Sequence, residues 1–580
     1  AWSLARPDFE PEVQNRLEPP TSTGVEKRLV LGYASPDRIL QADAKLVDNR
    51  AYVFLVDGAL SAVERRASQV NTIASGLEIA GVAVTDLSHR EARLIDGPAI
   101  AEIEQYVSQI LGMFGVPGAS MVIVQNGEMV YSGGFGLIEK GGTDPVTPST
   151  QMLIGSTGKA LTTTMMASMV DNGLFRWDTP VVEVLPEFTF SNPELTQSIT
   201  MENLMCACSG VPRRDYELVF NSQDMDAEQV VRSLAEFELF TDFGETFHYS
   251  NQMIAVGGYA AAAAGGTRFG ELQRGYRAEL QSRLFAPLDM NDTTLSFDEV
   301  IRGGRYAVPH GLRFGPEFAV ISVDEERLLN PVAPAGGGHW STAVDMAKFL
   351  VLQLSNGVGP SGERLVTEKE LLHTREGRVS ISAQMEYGLG WFLETYKGVE
   401  VVHHGGNTLG FTSGFAFLPE KDLGIVILMN AQNVNPVTQL IRNFIFDIAL
   451  GDHDSKSTET ESRFLHSQYV QHPTVGGPPG LRKQVSPDRI RPYVGGYRHP
   501  TLGPVEIRLT EGKLIFDATT YRSELLPVEH EGAVAQYVLV GTPFNGSPIR
   551  FEERESGGYR MILGGGASEY RFSPQPADAQ

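Results

Sequence analysis

The residues best placed to do chemistry are Ser156 and Lys159, in the stretch Gly155-Ser156-Thr157-Gly158-Lys159. Leu161, Met165, Met166, Met169 and Val170 follow at helical spacing as far as Asn172-Gly173, a helix stop. Residues i and i+3 share a helix face, so the hydroxyl and the ammonium are neighbours. A lysine held against an apolar helix is desolvated, and desolvation lowers its pKa. Once neutral it can take the serine proton, which makes a nucleophile of an otherwise weak hydroxyl. A lone S-x-x-K also fits a helix-start serine beside a solvated lysine, so the rest of the chain has to decide.

Three further stretches bear on it. Tyr249-Ser250-Asn251 precedes an apolar helix beginning near Ile254. A phenol carries protons once a nearby cation lowers its pKa, and the Asn251 amide offers both a donor and an acceptor to an amide-like substrate. In His403-His404-Gly405-Gly406-Asn407-Thr408-Leu409-Gly410-Phe411 the glycines let a strand edge approach a ligand closely. Its N–H groups, with that of Ser156, would form an oxyanion hole. No third ligand at metal spacing accompanies the two histidines, so no metal is expected. The stretch from Ala335-Gly336-Gly337-Gly338 to His339-Trp340 lacks the G-K-[ST] of a phosphate loop and reads as a tight pocket wall. His339 and Trp340 are candidate substrate contacts there.

These residues need a scaffold, and a chain of 580 residues can supply about two to four domains. A formal charge of -24 argues against a nucleic-acid or anionic-membrane surface. No apolar run is long enough for a membrane span. Cys206 and Cys208 are too close in sequence for an ordinary disulfide or a zinc knuckle and read as small buried apolar residues. An N-terminal Ala fits a removed signal peptide, which would make the protein periplasmic or secreted; the cytoplasm is the alternative.

Residues 1–98 read as an extended arm and a small α/β unit: strand at 52–56, helix at 60–75, second strand at 79–84, a βαβ-like order. Packing or self-association into a homo-oligomer is the role expected of it. Residues 99–452 open with an amphipathic helix and a hairpin turning at Asn126-Gly127, then the Ser156 helix and a large helical insertion. Strand patterns return between 385 and 430, and a helix closes the segment. That order suits an antiparallel sheet, flanked by helices, built from both ends of one domain. Residues 453–486, with Gly476-Gly477-Pro478-Pro479-Gly480, read as a linker. Residues 487–580 hold short alternating segments that suggest a small up-and-down barrel or a sandwich.

Ser156-Thr157-Gly158-Lys159, Tyr249-Ser250-Asn251 and His404-Gly405-Gly406, in that order, resemble the three motifs of the serine β-lactamase and penicillin-binding-protein superfamily. More narrowly, they resemble its class C-like branch of esterases, D-aminopeptidases and related peptidases, linear-microcystin peptidases among them, where the third motif often reads H-x-G. The resemblance spans 99–452 and includes Tyr387-Gly388-Leu389-Gly390-Trp391. It implies a β-lactamase/transpeptidase-like α+β domain in which Ser156 is acylated, Lys159 is its base and Tyr249 shuttles protons. Asn251 would hold the substrate amide, and His404 would stand near the substrate carboxylate or the tyrosine. Gly406 would belong to the same substrate-facing edge, and the Asn407 N–H would pair with that of Ser156 as the oxyanion hole. Cys206-Ala207-Cys208 stands where many relatives have His between two Thr. The resemblance also makes the C-terminal unit a lipocalin-like barrel at the active-site mouth and the loop 213–242 a lid.

The reading is a serine hydrolase with no metal and no organic cofactor. Its first substrate class is small or unusual peptides, D-residue peptides included, cleaved as a peptidase or amidase. A broad-range carboxylesterase comes second, and a β-lactamase third because His404 replaces lysine. A non-catalytic binding protein on the same scaffold is the reading from a different class.

Overall fold

The computed structural model describes residues 1–575 apart from 8–11, 36, 221, 224, 316, 484–486, 531–532 and 567–568. Its centre is an eight-stranded antiparallel sheet in the order Val379–Ser382, Met385–Tyr387, Phe392–Tyr396, Val399–Asn407, Thr412–Leu418, Leu423–Met429, Gly118–Gln125 and Glu128–Gly136. The last two strands come from the beginning of the domain and the other six from its end, as the segment order implies. Asn126 and Gly127, with φ of 54° and 73°, make the hairpin turn between them.

Both faces of the sheet are covered, so its central strands are apolar on both sides. Val122, Val124, Val426 and Leu428 point into the core that contains the helix Gly158–Asp171 and the helix Ala343–Leu354. Met121, Ile123, Ile425 and Ile427 point the other way, onto the helices Gly97–Phe114 and Asn435–Leu450. The helix Gly158–Asp171 is buried almost all round, Lys159 included. That is the setting in which an amine loses its hydration.

The N-terminal unit differs from the βαβ expectation. It is an antiparallel meander, Val13–Leu17, Lys27–Tyr33, Arg38–Val47 and Arg50–Ala59, followed by the helices Leu60–Arg65 and Ala67–Ser75. Asp48 and Asn49 both adopt positive φ, so the long strands pair through a tight turn and no crossover is needed. The apolar run 79–84 is turn and coil; Ile79 is buried with Val25 and Val47, and Val82 packs against them. The helix Ala67–Ser75 docks at the free edge of the main sheet, where Ser75 Oγ accepts the Ala383 N–H at 2.9 Å. This covers an edge that would otherwise be open to pairing with another chain.

The stretch expected to be a linker contains the 17-residue helix Ser455–Gln471. Asp454 caps it by accepting the Ser457 N–H at 2.9 Å, and Tyr469 lies buried against Phe114. Beyond it, eight strands from Gly495–His499 to Tyr570–Pro574 close into an up-and-down barrel, lipocalin-like as expected. An aromatic cluster joins barrel to catalytic body: Tyr216 meets Phe544 at 4.5 Å between ring centroids, and Phe220 stacks on Tyr521 at 5.2 Å.

Candidate active site

Ser156 sits on the 3-10 turn Gly155–Thr157, which runs directly into the helix Gly158–Asp171. Gly155 has φ of 51°, and a Cβ there would lie 2.6 Å from the main-chain nitrogen of Asn407. Only glycine permits so close an approach between the serine turn and the end of the Val399–Asn407 strand.

Lys159 is completely buried. Its Nζ has three neighbours at hydrogen-bond distance: Ser156 Oγ at 2.9 Å, Asn251 Oδ1 at 2.9 Å and the main-chain oxygen of Ala335 at 2.6 Å. Burial pushes its pKa well below the usual ammonium range, the charge of Arg213 pushes the same way, and Asp215 opposes both. A neutral amine has two N–H bonds and one lone pair. Two of the neighbours, an amide oxygen and a peptide carbonyl, can only accept. A deprotonated Lys159 that donates to these two would turn its lone pair to the serine hydroxyl, whereas the ammonium donates to all three.

Tyr249 is hydrogen-bonded to Ser156. Its ring centroid is 4.7 Å from Lys159 Nζ. The sequence reading expects a cation to lower this phenol. Here burial raises it, and the Ser156 hydrogen bond and Arg213 offset only part of that. Burial thus acts in opposite senses on the two groups, favouring the protonated phenol and the neutral amine.

The cavity around Ser156 has a volume of about 210 Å³. Asn251, Asn407, Thr408 and Leu409 line it, with Ala335, Gly336 and Gly337 as the expected wall. Gly336, at φ of 102°, packs where a Cβ would collide with the carbonyl of Gly155. His339 and Trp340 do not line it; both are fully buried behind the wall, His339 against the Tyr276 hydroxyl. His404 and Gly406 are also absent from the lining among the described residues. The His404 ring stands 6.2 Å from that of Tyr249, and its Nε2 lies 3.2 Å from the Tyr387 hydroxyl. Burial lowers its pKa to about 3, so it is uncharged at neutral pH.

Sequence reasoning missed four contributors. Arg213 and Asp215 line the cavity, with Asp215 Oδ1 accepting the Asn251 Nδ2–H at 3.0 Å and Oδ2 accepting from the Arg213 guanidinium. Pro543 and Phe544 reach the cavity from the barrel. A loop without periodicity gives no signal for any of them. The part of the 213–242 loop next to the site, expected as a lid, is held against the barrel by Tyr216 and Phe220.

The cysteine reading is corrected. Cys206 and Cys208 form a disulfide, with Cα atoms 5.1 Å apart, within bridging range. Ala207, at φ of 50°, turns the chain back so that the two sulfurs converge. The ring borders the tyrosine segment, because the Ala207 carbonyl accepts the His248 N–H at 2.8 Å. On the far side of that segment Thr246 is hydrogen-bonded to Ser68 of the N-terminal unit.

Comparison with known proteins agrees with this geometry. The family model described as Beta-lactamase matches residues 103–450. An unguisins hydrolase, ungD', of Aspergillus campestris is 24% identical over 77% of this chain and 85% of its own length. Penicillin-binding protein 4 of Amycolatopsis lactamdurans is 25% identical over 58% of this chain and 86% of its own. Among solved structures, the octameric penicillin-binding protein homologue from Pyrococcus abyssi has the same fold. It matches with a TM-score of 0.54 and 19% identity, over 82% of this chain and 99% of that one. The family match takes in the serine turn, the tyrosine segment and the His404 strand together, and on that ground the chain belongs to the serine β-lactamase and penicillin-binding-protein superfamily and is a serine hydrolase.

Proposed function

We propose that this hydrolase is a peptidase or amidase acting through an acyl-enzyme on Ser156. One observation carries the mechanism: Lys159 is buried, with Asn251 Oδ1, Ala335 O and Ser156 Oγ all at hydrogen-bond distance from its Nζ, so that a neutral amine donating to the first two turns its lone pair to the third. As Oγ attacks the carbonyl carbon, its proton passes to Lys159. The oxyanion forms against the main-chain N–H groups of Ser156 and Asn407. Tyr249, still a phenol, gives its proton to the leaving amine as the C–N bond breaks and recovers one from Lys159. Water then adds to the acyl-serine by the same proton path in reverse, and the acid is released.

Peptides are preferred to simple esters on the ground of the cavity lining. The cavity sets Leu218, Val219, Leu329 and Phe544 beside Asn251 and Asn433, a mixture that suits a peptide's apolar side chains and polar backbone. Penicillins are not favoured, since His404 is buried and uncharged and offers nothing to their carboxylate. The Cys206–Cys208 disulfide supports a periplasmic or extracellular location, where such bonds persist.

The test is mass-spectrometric digestion of a mixed L- and D-peptide library, with short p-nitrophenyl esters in parallel, comparing wild type with Ser156→Ala. Peptide cleavage that disappears in the variant is the expected result, and the products show terminus and stereochemistry. Ester turnover without peptide cleavage would make the enzyme a carboxylesterase. Activity retained by Ser156→Ala would end the acyl-serine mechanism.

A further inference from the structure

The base at Lys159 works only if the Asn251 side chain presents its oxygen. Turned over, that amide would offer an N–H to Lys159, which would occupy the lone pair meant for Ser156. The two orientations have nearly the same shape, so packing alone does not choose between them. Asp215 does. Its carboxylate is an acceptor only, lies 3.0 Å from Asn251 Nδ2, and therefore requires an N–H from that end of the amide.

We propose that Asp215 is a positioning residue of the active site, holding the Asn251 amide with its oxygen toward Lys159. The inference rests on the acyl-serine reading above. The loop is built to keep the carboxylate there. The Arg214 carbonyl accepts Gln252 Nε2–H at 2.8 Å, which ties the loop to the first turn of the helix Asn251–Ala264. On the other side, Tyr216 packs on Phe544 and Tyr570 of the barrel. Arg213 takes the second carboxylate oxygen. The side chains of Arg213 and Asp215 are 62% and 26% exposed, so the pair sits at the cavity mouth while Asn251 reaches inward. The barrel thereby acts on the chemistry at one remove, through Tyr216 and its neighbour Asp215.

The charged and titratable groups around Lys159 set what a change of charge at 215 does. Tyr249 faces it as a neutral phenol, Arg213 and Asp215 face it from the loop, and His339 and His404 are both lowered to about 3. Asp215 is the one anion among them. Removing its charge lowers Lys159 further and moves the acidic limb of the rate profile to lower pH.

The experiment measures the burst of p-nitrophenol from p-nitrophenyl acetate in wild type, Ser156→Ala, Asp215→Ala and Asp215→Asn. Asp215→Ala is expected to slow acylation ~100-fold or more at little changed half-saturation. Asp215→Asn keeps an amide oxygen to accept the Asn251 N–H. It is expected to stay within about tenfold of wild type, with its acidic limb at lower pH. Equal losses in the two variants, or a wild-type burst from Asp215→Ala, would overturn the proposal. If Asp215→Ala does not fold, the swap Asp215→Asn with Asn251→Asp replaces it. A carboxylate at 251 can present only oxygen to Lys159, so the swap should acylate, with its limb moved to higher pH; a folded but silent swap would overturn the proposal. A burst from Ser156→Ala would instead sink the acyl-serine reading itself.

Discussion

The main-chain oxygen of Ala335 lies 2.6 Å from Lys159 Nζ, closer than either Ser156 Oγ or Asn251 Oδ1. A peptide carbonyl does not titrate in this range and does not rotate away. It ties the amine to the wall 335–337, and Gly336 in turn packs on Gly155 where no side chain fits. Nucleophile, base and cavity wall are therefore set by one another, and a change at the amine is felt in both rate and stability.

Lys159→Met keeps the volume of the side chain and removes the amine. Acylation is expected to fall ~1,000-fold or more, since Tyr249, the other titratable group hydrogen-bonded to Ser156, is held as a phenol by burial. The stability effect has a sign. The folded protein holds the Lys159 proton more weakly than the unfolded chain, so between the lowered folded pKa and the unfolded value of about 10.4, unfolding takes up a proton. Stability through this group rises with pH across that window, and methionine has no such slope. Thermal melts of both proteins from pH 7 to 9 should show wild type gaining on the variant. A constant difference would mean that Lys159 is protonated throughout, and the base would be lost with it.

Much of this was legible in the residues. Ser156 and Lys159 are neighbours because i and i+3 share a helix face, and Asn126-Gly127 states its turn directly. The roles of Ala335 and Asp215 were not. The first acts through a carbonyl that every residue has, and the second is one acidic residue in a loop without period. The run 79–84 misled because apolarity alone does not separate a strand from coil tucked under a sheet. The family resemblance implies a His404 near the substrate carboxylate or the tyrosine. The structure sets it beside Tyr249, since depth in the core, which keeps it neutral and off the Ser156 cavity, is not written in the spacing.

Glu326 joins two walls of the cavity. It lies on the 3-10 segment Glu325–Ala335, fully buried. Its carboxyl accepts from Thr408 Oγ1 at 2.9 Å, Leu409 N at 3.1 Å and Gly410 N at 2.7 Å. Burial still raises its pKa to about 7, against those donors. A folded pKa above the unfolded one means that stability from this group is complete below about pH 4.5 and is lost as pH rises through about 7. Glu326→Gln does not titrate. The melting temperature of wild type minus that of Glu326→Gln is therefore expected to fall between pH 5 and 8, and a flat difference would show that Glu326 keeps an ordinary carboxylate pKa.

Phe544 tests whether the barrel shapes the substrate site. It follows the cis Thr542–Pro543 bond, lines the cavity with Ser156, and packs on Tyr216, Phe220 and Tyr521. The loop that carries it is tied to the connecting segment after the helix Ser455–Gln471 by Asn545 Nδ2, which donates to the Thr474 carbonyl at 2.6 Å. Phe544→Ala removes apolar wall without touching the serine, lysine or tyrosine. Stability should drop by ~1–3 kcal/mol, less than for a fully buried phenylalanine because one side faces the cavity. KM for the best library peptide should rise about tenfold or more with kcat little changed, since uniform binding is lost and the reacting geometry is kept. The burst from p-nitrophenyl acetate, too small to reach this wall, should be preserved. An equal loss for peptide and acetate ester would mean that Phe544 acts through the Tyr216 loop on Asp215 and not on the substrate. An unchanged KM for the peptide would place the substrate elsewhere than the barrel side of the cavity.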